Sequence, residues 1–230
     1  MQERFDFVAS DLARWRSRLV PLLNGITVLP RRKPIGQLVK SLISGRTKDA
    51  VSLAAYRKLG QRFGSAAALG AASPTEVEYV IHEVNFADAK AGWLVAALRQ
   101  IGQERPDYQL SFLGDLSLSA ALEWLERLPG VGRKVAASTL NASTLARPVF
   151  IVDTHVLRVL RRLGFIAANA ETRAASEAVT GSRPDWSADD FLLFHIVVKR
   201  LGQLVCTFDT PQCGMCPLLT DCPTARRSRN

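Results

Sequence analysis

Residues 128–134 read Leu-Pro-Gly-Val-Gly-Arg-Lys and lie between two stretches with helical periodicity. Two glycines around one valine form a tight turn, because glycine reaches backbone angles closed to other residues and lets a ligand approach the chain. The next helix begins at once, so its unpaired N–H groups and the positive end of its dipole point the same way as the turn amides. This stretch predicts an anion site suited to a phosphodiester oxygen. An ordinary corner between two helices is the simpler alternative.

On both sides of this turn the chain has a helical pattern almost throughout. Apolar residues recur at three- and four-residue steps, and residues 73–76 (Ser-Pro-Thr-Glu) form a capping box with proline at the first helical position. Beyond this capping box, helices are predicted over residues 88–101, 118–128, 132–142, 154–163, 171–179 and 188–201. Alternating runs bounded by hairpin turns are nearly absent. The sequence therefore predicts an all-α fold.

The composition is that of a globular protein with a polyanionic partner. Of its 230 residues 47% are hydrophobic, which is enough for one large core or two modest ones. No apolar run approaches the length of a membrane span and no secretory signal opens the chain, so we expect a cytoplasmic protein, associated with the nucleoid in a bacterium. The 30 Lys and Arg against 21 Asp and Glu give a net charge of +9. This excess favours nucleic acid as the partner, with a merely basic surface as the alternative.

All four cysteines of the chain lie in one short segment. They are spaced as Cys206-x6-Cys213-x2-Cys216-x5-Cys222. Four thiolates with tight, uneven spacing fit an iron–sulfur cluster, because each iron of a cubane takes one thiolate and the loop wraps the cluster. Structural zinc usually favours two C-x2-C pairs, and disulfides do not suit a long chain without a secretory signal. The spacing favours the cluster, with zinc and disulfides as alternatives.

Three motifs together resemble the endonuclease III branch of the helix-hairpin-helix-GPD DNA glycosylases. Residues 128–134 are similar to the helix-hairpin-helix signature of that family, and residues 152–159 (Val-Asp-Thr-His-Val-Leu-Arg-Val) are similar to its aspartate segment. Residues 206–222 have the spacing of its [4Fe-4S] cluster loop. The three motifs stand in the order and at the separation found in the family.

The resemblance implies a two-lobed protein with a DNA cleft between the lobes. One lobe is a six-helix barrel over residues 28–142 that carries the helix-hairpin-helix. The other is a discontinuous helical lobe of residues 1–27 and 143–230 that carries the cluster loop. The resemblance also implies a monomer that binds double-stranded DNA containing damaged bases or abasic sites.

Lys134 matches the nucleophilic lysine of the family. Cleaving a base from deoxyribose with an amine makes an imine at C1′, and only an uncharged amine attacks. A free lysine has a pKa of about 10.4, so we expect burial, the helix N-terminus and the neighbouring Arg133 to lower it. The alternative is a lysine that contacts a phosphate and has no covalent role.

Asp153 precedes an apolar-periodic helix, where aspartate most often serves as the N-cap. The resemblance implies that it is also the essential carboxylate of the family, which stabilises positive charge on the sugar and moves a proton to or from the amine. His155 follows in the same motif, and we expect it to orient its neighbours at the DNA rather than to bind a metal. His82 and His195 are interpreted as structural.

Two further segments align with family loops that fill the gap left when the target base leaves the duplex. In residues 44–49, Arg46 stands where the family usually has glutamine, and in residues 84–90, Phe86 is the candidate apolar wedge. The alternatives are an Arg46 that neutralises a phosphate and a Phe86 that lies in the core. The predicted DNA-binding residues are Arg46, Phe86, Pro129, Gly130, Val131, Gly132, Arg133 and His155.

The resulting hypothesis is a bifunctional DNA glycosylase and abasic-site lyase of base excision repair that removes oxidised pyrimidines. Lys134 is the predicted nucleophile and Asp153 the assisting carboxylate. Two enzymatic alternatives are a mismatch-specific thymine glycosylase and a specialist with lyase activity alone. The non-enzymatic alternative is a helix-hairpin-helix DNA-binding module that carries a redox cluster.

Overall fold

The computed structural model describes residues 3–23 and 30–227, with side chains described over 11–23 and 30–226. Within these ranges no strand occurs, and the β-type pairing is limited to one isolated bridge between Arg32 and Ser143. The all-α prediction is confirmed. None of the described helices has the length and apolar character needed to cross a membrane.

Twelve α-helices follow one another along the described residues. Their bounds are α1 Glu3–Leu19, α2 Pro34–Ile43, α3 Asp49–Phe63, α4 Ala66–Ala71, α5 Pro74–Ile81, α6 Ala87–Glu104, α7 Leu118–Glu126, α8 Arg133–Asn141, α9 Thr154–Arg162, α10 Thr172–Ser182, α11 Ala188–Leu204 and α12 Pro223–Arg227. The capping box predicted at Ser73 is present, with the Ser73 hydroxyl accepting from the Glu76 N–H and the Glu76 carboxylate accepting from the Ser73 N–H.

The chain divides into two compact units. The first, which we call the hairpin unit, is Arg31–Arg147 and contains α2 to α8. The second, which we call the cysteine unit, is Met1–Pro30 together with Pro148–Asn230. The boundary predicted between residues 27 and 28 falls outside the described residues.

In the hairpin unit, α8 packs against α2 and α7. Every residue of α8 from Val135 to Asn141 is buried. α2 packs against α8, α3 and α6, and it buries Leu38 and Leu42, which are four residues apart and so lie on one helix face. Burial of a leucine side chain contributes about 1.5–3 kcal/mol. This packing fixes the C-terminal end of α2 and the first turn of α8.

The cysteine unit packs α1, α9, α10 and α11 around an aromatic core. Phe150 contacts Phe191 and Phe194 of α11, with ring centroids 6.3 and 5.3 Å apart. Trp186 meets the same two rings edge-on at 5.4 Å. The segment from Val149 to Val152 is buried throughout, so this core fixes the point at which Asp153 begins α9.

Candidate active site

The hairpin joins α7 to α8 through a turn in which glycine is required. Gly130 has a φ of 73°, in the left-handed region that side-chain-bearing residues rarely adopt. A Cβ on Gly130 would also lie 2.6 Å from the Cβ of Trp93. Gly132 then begins α8 with no side-chain cap on the first turn. The backbone N–H groups at this helix start are the expected anion-binding groups.

Arg133, which was predicted to contact DNA, forms a buried ion pair. Its Nε lies 2.6 Å from Oε1 of Glu126, and the two side chains are 8% and 10% exposed. The pair connects the end of α7 to the start of α8 across the hairpin. The positive charge that the sequence places beside Lys134 is therefore offset by a carboxylate within the same unit.

Lys134 lies in the first turn of α8 and reaches the C-terminal turn of α2. Its Nζ donates to the hydroxyl of Ser44 at 2.6 Å and lies 3.4 Å from the carbonyl oxygen of Ser41. The Ser44 hydroxyl in turn donates to the same carbonyl at 2.8 Å. The amine is half-buried. Two oxygen acceptors thus hold the predicted nucleophile in one place.

A buried polar cluster fixes α8 to α2 one helical turn beyond the lysine. Gln37 donates from Nε2 to the hydroxyls of Ser41 and Ser138, at 3.0 Å each. The two hydroxyls are 2.9 Å apart. Buried polar groups that satisfy one another specify a single helix register. Ser138 follows Lys134 by four residues and lies on the same face of α8. This cluster therefore also fixes the position of Lys134 along the axis of α2.

Arg46 and Phe86 lie on neighbouring loop tips of the hairpin unit. The guanidinium carbon of Arg46 is 5.9 Å from the Phe86 ring centroid. Phe86 is 56% exposed, so the alternative that placed it in the core is wrong. Both residues have left-handed backbones, with φ of 53° and 59°. The two predicted gap-filling residues are thus adjacent and exposed.

Asp153 is the N-cap of α9, as predicted from its position. Its Oδ1 accepts from the backbone N–H of Val156 at 2.9 Å. Burial acts to raise the pKa of Asp153, but His195, the Val156 N–H, Lys199 and His155 act in the opposite direction and the net effect is a lowered pKa. The side chain is therefore a carboxylate at neutral pH, available to stabilise positive charge.

His155 is held by its own unit rather than directed outward. Its Nδ1 accepts from Nη2 of Arg158 at 3.2 Å. Its Cβ packs so closely on α11 that a Cβ added to Gly202 would lie 2.9 Å from it. These contacts fix the helix turn that follows Asp153, and the orienting role of His155 stays a prediction.

Two residues beside Asp153 were not assigned a role from the sequence. His195 was interpreted as structural, and Lys199 was not considered; both influence the Asp153 carboxylate. His195 also donates from Nδ1 to the carbonyl of Ile151 at 2.8 Å. Their spacing of four residues puts both on one face of α11, and this is the sequence signal that was available. Ser44, the partner of Lys134, carried no comparable signal.

The four cysteines are free, partly buried and near one another in the cysteine unit. Burial raises the pKa of the Cys216 thiol, and the charges of Cys206, Cys222 and Cys213 raise it further. Arg162 of α9 donates from Nη1 to Sγ of Cys206 at 3.3 Å.

The donor set of this segment consists of thiols alone, which suits an iron–sulfur cluster or zinc. A cubane takes one thiolate on each of its four irons, so the number and kind of these donors fit a cubane as they fit a four-thiolate zinc ion. Among the described residues no group of three or more His, Cys, Asp or Glu is arranged to hold a metal ion.

Comparisons with known proteins agree on one family and one fold. The family model for the HhH-GPD superfamily of base excision DNA repair proteins matches residues 39–182, a range that includes Lys134 and Asp153. Endonuclease III of Synechocystis sp. is 32% identical over 201 residues, covering 87% of this chain and 85% of that protein.

Two solved structures resemble the whole chain. One is an endonuclease III trapped as a covalent intermediate with DNA, in an estranged-adenine complex; its TM-score is 0.75 at 20% identity, over 100% of this chain and 99% of the other. The second is a thermostable thymine-DNA glycosylase, with a TM-score of 0.74 at 16% identity, over 95% and 98%. At these identities the structures establish the fold and do not distinguish between substrates.

Proposed function

The chain belongs to the HhH-GPD superfamily of base excision DNA repair proteins, and on this premise we propose that it is a bifunctional DNA glycosylase and abasic-site lyase for oxidised pyrimidines. Membership of the family and similarity to endonuclease III support the glycosylase activity. The observation that carries the bifunctional proposal is the amine of Lys134, which follows the hairpin and is held 2.6 Å from the Ser44 hydroxyl. An amine at this position provides the nucleophile that a lyase needs and that a simple hydrolase does not.

In the proposed reaction Lys134 first loses a proton, and its neutral Nζ attacks C1′ of the damaged nucleotide. The C1′–N bond to the base breaks, and the base leaves with the bonding electron pair and takes up a proton. Opening of the sugar ring then gives an imine between Nζ and C1′. Loss of a proton from C2′ expels the 3′ phosphate and cuts the strand. Water releases the product and restores the amine.

Asp153 is proposed to assist at two points. As a carboxylate with a lowered pKa, it can stabilise the positive charge that develops on the sugar when the base departs. It can also accept a proton as the amine becomes a nucleophile and return one later. His195 and Lys199, which face it from α11, favour the ionised form on which the first of these roles depends.

We propose that the hairpin unit binds DNA through backbone N–H groups and through the side chains of Arg46 and Phe86 at its two loop tips. We propose that the N–H groups from Gly130 to the start of α8 bind a phosphate, because Arg133 is engaged with Glu126. Arg46 and Phe86 are proposed to fill the gap left in the duplex by the extruded nucleotide. An exposed aromatic ring beside a guanidinium can stack on an orphaned base. The partner is damaged double-stranded DNA, bound by a monomer in the cytoplasm or on the nucleoid.

Borohydride reduction tests the function directly, because it converts the imine into a stable adduct. The experiment compares four duplexes, which contain an oxidised pyrimidine, an abasic site, a G·T mismatch or no lesion. We expect adducts with the oxidised pyrimidine and the abasic site, and none with undamaged DNA. An adduct with abasic DNA alone would identify a lyase specialist, and one with the mismatch a thymine glycosylase. No adduct on any duplex would favour a DNA-binding module.

A [4Fe-4S] cluster is proposed to be held by Cys206, Cys213, Cys216 and Cys222. When bound, the cluster would have a structural role and not a redox role, since base removal and strand cleavage at a sugar transfer no electron. Three of the four cysteines already pack against the core of the unit: Cys206, Cys216 and Cys222. Loss of the cluster would therefore expose part of that core.

The colour and iron content of the purified protein test the cofactor. We expect a straw-brown protein with broad absorbance at the border of the visible and ultraviolet, and about four iron atoms per chain. Cys216→Ser should lose the colour and unfold at a lower temperature. The control Ser119→Ala, at an exposed position, should keep the colour and the unfolding temperature. A colourless wild-type preparation that contains one zinc ion per chain would contradict the proposal.

A further inference from the structure

A buried lysine connects the two loops that carry Arg46 and Phe86. Lys90 is in the second turn of α6 and is 4% exposed. Its Nζ donates to the carbonyl of Ile43 at 3.0 Å, to the carbonyl of Gly45 at 2.5 Å and to the hydroxyl of Thr47 at 3.2 Å. These acceptors lie on both sides of Arg46. We call the loop of residues 44–48 the arginine loop and the loop of residues 82–86 the phenylalanine loop.

The backbone of Lys90 is hydrogen-bonded to the phenylalanine loop. Its N–H donates to the carbonyl of Phe86 at 3.1 Å, the first helical hydrogen bond of α6. Asn85 adds two ties between the loops: its Nδ2 donates to the Arg46 carbonyl at 2.5 Å, and its backbone N–H donates to the Thr47 hydroxyl at 3.2 Å. One side chain thus spans the arginine loop, and its own backbone anchors the phenylalanine loop.

The two loop tips need such ties because their backbones are strained. Arg46 and Phe86 are both left-handed, a conformation that costs free energy for any residue with a side chain. Strained positions persist only where the surrounding structure determines them. The bonds from Lys90 and Asn85 end at Arg46 itself, at its two chain neighbours Gly45 and Thr47, and at Phe86.

A charged lysine is a costly choice for this interior position. Among the described residues the hydrogen-bond partners of its Nζ are two oxygens of the arginine loop and the last carbonyl of α2, and burial lowers the pKa of Lys90 to about 8. A methionine would fill similar space without the desolvation cost. The ammonium therefore serves these three oxygens, and the end of α2 is a place where a cation is favoured.

We propose that Lys90 is a positioning residue that holds Arg46 and Phe86 together as one preformed wedge for duplex DNA. The inference rests on the proposed function. A wedge fixed before binding loses little conformational entropy when it enters the base stack. In single-stranded DNA no partner base is orphaned, so the wedge has no base to stack on. It therefore contributes neither to binding nor to cleavage of single-stranded DNA.

The test compares Lys90→Met and Asn85→Ala with wild type on duplex and single-stranded abasic DNA. Rates of borohydride trapping are measured on both, together with the fluorescence of a 2-aminopurine placed opposite the abasic site, which is quenched when the Phe86 ring stacks on that base. Lys33→Met is the matched control, because Lys33 is an exposed lysine of the same unit that lies in neither loop.

For Lys90→Met we expect the duplex trapping rate to fall about tenfold or more, by loss of three hydrogen bonds and of the fixed tip geometry. The single-strand rate should stay within about twofold of wild type, because the Ser44 hydroxyl that holds Lys134 is bonded to the Ser41 carbonyl of α2 and is not a hydrogen-bond partner of Lys90. The quenching of 2-aminopurine should be lost together with the duplex rate, so its fluorescence should rise. Asn85→Ala should show the same pattern with about a threefold effect, and it removes only an exposed side chain, so it tests the idea even if Lys90→Met does not fold.

Equal losses on duplex and single-stranded DNA in both variants, or an unchanged 2-aminopurine signal, would overturn the inference. So would a duplex loss of the same size in Lys33→Met. Failure of the proposed function is distinct, because wild type itself would then trap no abasic DNA of either kind.

Discussion

Arginine at position 134 should abolish the borohydride-trapped adduct while duplex binding persists. The guanidinium keeps the positive charge, and it can donate to the Ser44 hydroxyl and the Ser41 carbonyl that hold the amine in wild type. It does not lose its proton in a protein, so it cannot form an imine. We expect cleavage of abasic duplexes to fall about a thousandfold or more, as is common when a covalent nucleophile is removed. Trapping and nicking assays measure the loss, and gel-shift titration measures binding.

Lys33→Arg is the control for the lysine-to-arginine change, because the exposed Lys33 lies outside the site and its substitution should leave trapping unchanged. A thermal melt close to that of wild type would show that Lys134→Arg is folded. If this variant cut abasic DNA at the wild-type rate, Lys134 would be a phosphate contact and the imine mechanism would be wrong. A small residual activity that also appears in Lys134→Ala would come from the site without its nucleophile.

The features that the sequence predicted well are those set by residues close together in the chain. The hairpin follows from the left-handed requirement at Gly130 and from the helix that begins directly after Gly132. The caps at Ser73 and Asp153 are also local, because each involves a residue and an N–H three positions later. Such patterns can be read without knowledge of the tertiary structure.

The partners of the charged residues could not be predicted in the same way. Arg133 looks like a free cation in the sequence, but the turn of the hairpin brings Glu126 back beside it. Lys90 looks like one more charge on the exposed face of a helix, but the arginine loop, which lies more than forty residues earlier, surrounds its ammonium with acceptors. Pairings of this kind depend on how α2 and α6 pack, and no local pattern encodes that packing.

Exposure was likewise decided by packing rather than by residue type. Phe86 is apolar and could have belonged to the core, yet its left-handed backbone turns the end of the loop outward and leaves the ring exposed. His195 was interpreted as structural, yet it stands edge-on to the Phe150 ring and donates to the Ile151 carbonyl in the segment before α9. In both cases the neighbouring element, not the residue, determines the function that is possible.

Asparagine at position 153 should leave the fold intact and remove most of the activity. Asparagine caps a helix as well as aspartate does, so the bond from the Val156 N–H is kept, but the negative charge is lost. We expect base removal and strand cleavage to fall about 100- to 10,000-fold, the range for loss of a positioned acid–base group. Single-turnover assays on lesion-containing and abasic duplexes would measure the two steps separately.

The stability of this variant should also show how the carboxylate is held. Because the pKa of Asp153 is lowered in the folded state, its ionised form stabilises the fold above the unfolded pKa of about 3.9, and this contribution is lost as the pH falls through the folded value. Wild type should therefore melt at a higher temperature than Asp153→Asn near pH 7, and the difference should shrink in acid.

Alanine at the same position separates capping from catalysis. Asp153→Ala should lose about 0.5–2 kcal/mol of stability beyond the asparagine variant, because the cap is gone, with no greater loss of activity per folded molecule. If Asp153→Asn instead kept full activity and only Asp153→Ala failed, the residue would be a helix cap alone. The proton transfers proposed for it would then have to be assigned to another group near the sugar.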